Sequence, residues 1–131
     1  MVESGRVQLG RYGYLVLAVF FVICVLAQIY IAGMAIFIDP ADWSLHETFV
    51  HTFEPMLIVL LVLAFIGRLP RSLKVAPIGL FLLITIQYAT AAMYGSLVAA
   101  IHPVNAVVIF LVSALAVKRT WKQISTSKTS R

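Results

Sequence analysis

The chain has one cysteine, five acidic residues and very little charge of any kind, 11% of its 131 residues. The lone cysteine, Cys24, lies within an apolar run, which excludes a disulfide framework and a thiolate metal cluster. So few charged side chains could not clothe a water-soluble domain of this size. No glycine-rich phosphate loop and no Ser-His-Asp set occurs, which removes nucleotide binding and triad hydrolysis by those motifs. Lysine and arginine are wholly missing from 12–67 and from 75–117. That last absence organises the rest of the reading.

What is present is hydrophobic: 62% of the residues, gathered in long runs. About 20 apolar residues in helical form cross the hydrocarbon core of a bilayer. The runs predict an all-α integral membrane four-helix bundle, with helices at about 12–38, 45–67, 75–94 and 97–117. Residues 1–131 then form a single four-span domain, with 1–11 as N-terminal segment and 118–131 as a basic tail. Asp39-Pro40 closes the first helix. Ser44-Leu45-His46-Glu47 reads as a capping box opening the second. Pro55 lies inside that second helix and cannot donate to the His51 carbonyl, so a kink is expected there. Between the third and fourth helices the strong turn signal is Gly95-Ser96. A turn at His102-Pro103 is the alternative, although proline is also common in a first helical turn. Small residues at Ala27, Gly33, Ala89, Ala91 and Ala92 would allow close helix approach.

The basic residues fall before the first run (Arg6, Arg11), between the second and third (Arg68, Arg71, Lys74) and after the fourth (Lys118, Arg119, Lys122, Lys128, Arg131). This is the positive-inside pattern of a multi-pass protein of the plasma (cytoplasmic) membrane, a bacterial inner membrane, with both termini cytoplasmic. The net charge of +5 is topogenic and favours anionic lipid; nucleic acid is not indicated. The uncharged run from residue 12 is too long for a cleaved leader.

Histidines and most acids occupy the opposite level. His51 lies about 17 residues above Arg68 and His102 about 16 above Lys118, so each stands about 25 Å above one boundary at 1.5 Å per residue. Two histidines at matched depth on parallel helices suit bis-imidazole ligation of haem b. An interfacial histidine that only bonds a carbonyl is the simpler reading of each. His46 lies roughly 140° around the helix from His51 and is expected to take a rim role. Glu47, His51 and Glu54 share a face, and with His102 and His46 they make an alternative divalent-metal set. Glu54 stands within the span, where a carboxylate is costly unless paired, protonated or wet. Gln28 and Gln87 are candidates to fix a histidine tautomer, and Asn105 shares a face with His102. All three serve equally as interhelical hydrogen-bond glue. A weak repeat relates Gln28-x-x-x-Ala32-Gly33-Met34 to Gln87-x-x-x-Ala91-Ala92-Met93.

The run Ile101-His102-Pro103-Val104-Asn105-Ala106, the Gln28-x-x-x-Ala32-Gly33 motif and the segment from Trp43 to His51 together resemble an uncharacterised family of small four-span bacterial membrane proteins. More remotely, the histidine placement is similar to one four-helix half of haem A synthase and to b-type cytochrome bundles. That resemblance implies His51 and His102 as haem ligands. It departs in having one half where the enzyme has two, and Glu47-x-x-x-His51 where the enzyme has Glu-x-x-His, so haem hydroxylation is not implied. Three readings follow: a haem b electron-transfer bundle, a non-haem metal protein, and a cofactor-free accessory subunit of a membrane complex. Partners are the bilayer and a redox protein, a complex subunit or a second copy of the chain.

Overall fold

The computed structural model describes residues 5–129, with side chains through 126. Arg131 and the Lys128 side chain, counted above with the basic tail, lie outside the described residues. Five α-helices and two short 3-10 turns occur among the described residues: α1 (Gly5–Phe37), α2 (Trp43–Phe53), α3 (Met56–Ile66), α4 (Arg71–Ala91) and α5 (Ile101–Thr129), with turns at Pro40–Asp42 and Leu97–Ala100. No strand occurs among the described residues. Helices α2 and α3 form one bent span, so four segments are long and apolar enough to cross a membrane. Neighbours pack in a ring, α1 against α3, α3 against α4, α4 against α5 and α5 back against α1.

The interior is thin. At most 28% of any span's apolar window is buried, and side chains such as Phe20, Ile58, Phe81 and Leu111 face outward. In water such a surface would be untenable. In lipid it is neutral, and cohesion comes instead from packing and from hydrogen bonds. Tyr14, Phe21, Phe53, Leu57, Leu60 and Leu80 fill the centre, with Phe21 edge-on to Phe53 at 5.4 Å.

Local chemistry explains the breaks. Asp39 is extended before Pro40, as a residue preceding proline tends to be, and its carboxylate accepts from the Ala41 N–H at 2.9 Å. The capping box does not form. Helix α2 starts two residues earlier than expected, at Trp43, and the Ser44 hydroxyl donates to the Ala41 carbonyl at 2.9 Å. The 3-10 turn already satisfies those backbone groups, so Ser44 has no orphan amide to cap. The break at Glu54-Pro55 falls where expected, and Leu57 and Ile58 reach back three residues to the Glu54 and Pro55 carbonyls at 3.1 Å.

Helix ends differ from the apolar limits. Helix α1 begins at Gly5, α4 at Arg71, and α5 continues through Lys118, Arg119 and Lys122 to Thr129. Hydropathy marks where lipid ends, whereas lysine and arginine propagate a helix well. Between α4 and α5, Gly95 makes the turn at φ 87°, and a 3-10 segment delays α5 to Ile101 in place of residue 97. Pro103 therefore sits in the first turn of α5, where its missing N–H costs nothing.

Among the glycines the tightest approach is at Gly10 and Gly67. Gly33 has open space beside it, but a Cβ on Gly10 would lie 2.4 Å from the Gly67 nitrogen. Gly67 is glycine for this contact; the left-handed position that ends α3 falls to Arg68, at φ 49°. Such a conformation costs a side-chain-bearing residue about 1–2 kcal/mol. The join is reinforced by Arg11 Nε donating to the Gly67 carbonyl and by Tyr14 Oη donating to the Leu73 carbonyl, both at 3.0 Å. These contacts gather Arg11, Arg68, Arg71 and Lys74 at one end of the bundle. The histidines and the described acids lie at the other.

Candidate functional site

Each half of the molecule builds the same small unit at its histidine end. On α1 and α2, His46 Nδ1 donates to the main-chain carbonyl of Gln28 at 3.1 Å, and Gln28 Nε2 donates to the His46 carbonyl at 2.8 Å. On α4 and α5, His102 Nδ1 donates to the main-chain carbonyl of Gln87 at 3.1 Å, with Thr90 Oγ1 at 3.4 Å. Asn105 Nδ2 ties the second unit together by donating to Gln87 Oε1 and to the Leu83 carbonyl, both at 2.8 Å. A helical carbonyl has a second lone pair, so both glutamines can accept this extra bond without leaving their helices. The weak Gln28/Gln87 repeat thus marks equivalent places.

The two units meet. The rings of His46 and His102 stand 6.3 Å apart between centroids, at 50° to one another, and Trp43 lies edge-on to His46 at 5.5 Å. A carbonyl only accepts, so each Nδ1 must carry the proton. In the neutral ring that leaves Nε2 with a free lone pair. Neither Nε2 has a hydrogen-bond partner among the described residues. Beside the pair, Gln28 Oε1 is buried and also without a partner among them.

His51, expected opposite His102, is turned away from this pair. Its side chain is 63% exposed, stacks on Tyr88 at 5.5 Å and places Nδ1 3.2 Å from Glu54 Oε1. Tyr88 Oη donates to Glu54 Oε2 at 2.5 Å and lies 3.2 Å from His51 Nδ1. So the structure brings His46 to His102, and gives His51 to Glu54 and Tyr88. Glu47 is exposed. Among the described residues no three His, Cys, Asp or Glu side chains come together as a metal-binding group. The cation set of Glu47, His51, Glu54, His46 and His102 is therefore not assembled. Tyr88, exposed in the Glu54 cluster, and Thr90, buried beside His102, lie one and three residues beyond Gln87; the sequence marks Tyr88 only as an interfacial or packing aromatic and gives no signal for Thr90 beyond that position.

The Glu54 cluster carries its own expected outcome. Glu54→Gln keeps acceptors for Tyr88 and should lose about 1 kcal/mol or less. Glu54→Lys puts a second donor against Tyr88 and an unpaired charge at span depth, and should cost about 2 kcal/mol more. Thermal unfolding of the two variants in the same detergent measures the difference, and equal stability would mean that Glu54 simply faces water.

The chain belongs to a family of unknown function (DUF6220), whose pattern matches residues 28–94. That segment holds Gln28, His46, His51, Glu54, Gln87 and Tyr88, and stops short of α5. No curated protein and no solved structure matches the chain, and no similarity to haem A synthase is shown.

Proposed function

We propose that this member of the DUF6220 family is a multi-pass electron-transfer protein that holds haem b between His46 and His102. The observation that carries the reading is the pair of imidazoles, each locked by its Nδ1 on a main-chain carbonyl with Nε2 uncommitted. Histidine ligands of metals are commonly oriented in this way. His46 and His102, with ring centres 6.3 Å apart, would hold the group through their Nε2 atoms. The haem would supply one-electron redox chemistry. The chain's part is to set both tautomers, to hold the His46 ring against Trp43, and to offer the unpaired Gln28 Oε1 to a water. No Lys or Arg lies at this end to meet the propionates, which would be left to water.

A spectrum of protein purified in mild detergent from haem-supplied cells tests the reading. A Soret band that sharpens into low-spin α and β bands on reduction, with about one iron per chain, is expected. A colourless, folded protein without metal overturns it in favour of a cofactor-free accessory role. Bound zinc or manganese without haem would favour the metal reading.

The orientation we propose puts the basic end and both termini in the cytoplasm. A cysteine introduced at Ala41 should then label from outside the cell, and one at Ser72 should not. Cys24 is buried and gives little background. The opposite labelling would invert the assignment.

A further inference from the structure

At the basic end, far from the histidines, α4 and α5 part to leave a groove of about 590 Å³. Ala76 and Gly79, nearly one turn apart on α4, form its floor, and a Cβ on Gly79 would meet nothing within 4 Å. Leu82, Leu83 and Leu115 wall it. At its mouth stand Ser72 and Arg119. From Ser72 to Leu83 the groove follows about 16 Å of helix, roughly half the ~30 Å hydrocarbon core and so one leaflet deep.

The mouth is electrostatically one-sided. Arg119 is exposed, with Arg71 at the start of α4 and Lys118 and Lys122 on α5, while Lys74 is engaged over the Phe65 ring at 4.9 Å. The four described carboxylates, Asp39, Asp42, Glu47 and Glu54, all lie at the other end, so none reaches Arg119. Helix α4 starts here without a side-chain cap, and the positive end of its dipole adds to the field.

We infer that this groove is a binding site for an anionic phospholipid, one acyl chain lying along Gly79 and the phosphate held by Arg119 and Ser72. Apolar length, a depth of one leaflet and a cation met by no described carboxylate at the headgroup level together select that ligand. A neutral lipid would fill the groove but leave the arginine unanswered, and basic pockets between spans are where anionic headgroups bind.

Native mass spectrometry of the full chain, titrated in detergent with phosphatidylglycerol or phosphatidylcholine, tests this. One phosphatidylglycerol per chain should bind at least five-fold more tightly than phosphatidylcholine. Arg119→Gln should remove about that five-fold preference, the scale of one basic residue at a membrane surface, while Lys122→Gln, the same charge change outside the groove, should keep it. Gly79→Leu should abolish the one-to-one adduct of both lipids; its helical circular dichroism checks the fold, and Gly79→Val replaces it if the larger side chain prevents folding. Inorganic phosphate should not compete at equal concentration. Equal affinity for the two lipids, equal loss in Arg119→Gln and Lys122→Gln, displacement by free phosphate, or full binding by a folded groove-filled variant would each overturn the site. So would a dimer that dissociates on Gly79→Leu, which would assign the groove to a second copy.

Discussion

His46→Ala and His102→Ala are each expected to abolish the low-spin Soret spectrum of the haem-loaded protein, whereas His51→Ala should leave it nearly unchanged. The first two remove one nitrogen of the pair, with rings 6.3 Å apart, that would hold the proposed haem. The third removes a ring that is exposed and engaged with Glu54 and Tyr88. Because the His46 and His102 Nδ1 atoms bond main-chain carbonyls, no side-chain deletion at Gln28 or Gln87 removes those bonds. Gln28→Ala and Asn105→Ala should therefore weaken haem retention far less than loss of either ligand. Ferrous spectra in detergent read all five proteins. Loss of the Soret band in His51→Ala with retention in His46→Ala would sink the assignment and restore the pair at matched sequence depth.

Gly10→Val should be the most destabilising single substitution in the bundle outside any cofactor site. Its Cβ would overlap the Gly67 nitrogen at 2.4 Å and the Gly67 Cα at 2.7 Å, and both neighbours are backbone that no rotamer change can move. The helices would have to separate, breaking the Arg11–Gly67 hydrogen bond at the same time. Overpacking costs about 1–3 kcal/mol where side chains can yield, and this join should exceed that range. Gly33→Ala, with nothing within 4 Å, should change stability by less than about 0.5 kcal/mol. Reversible unfolding in mixed micelles compares the two. A Gly10→Val protein as stable as Gly33→Ala would show that the ends of α1 and α3 are not held together in the membrane.

That His46 and not His51 meets His102 was legible in the sequence by a different count. Depth from the basic boundary favoured His51, but that count assumes straight helices, and the second span bends at Glu54-Pro55. The apolar stripe of α2 is Phe49, Val50 and Phe53, which continues backward by helical spacing to His46. Glu47, His51 and Glu54 form the other face. A face argument names the inward histidine where a depth argument does not, because one side of a helix packs while both sides share its depth. The Gln28 and Gln87 repeat was similarly informative, although its meaning, a carbonyl offered to a histidine, lies in the backbone and not in the glutamine side chains.

What the sequence determined by itself was the number of spans, the bend at Pro55 and the segregation of bases from histidines. Each follows from the solvent demanded by a run of side chains or from a residue's own backbone limits, and needs no knowledge of neighbours. Tertiary structure alone decided which helices touch through Gly10 and Gly67, which histidine meets His102, and where α4 and α5 leave a groove. Those depend on how helices rotate about their axes and approach one another. Lipid and protein interior are equally apolar, so hydropathy carries no signal for that rotation, and only small-residue contacts and a few paired polar groups fix it.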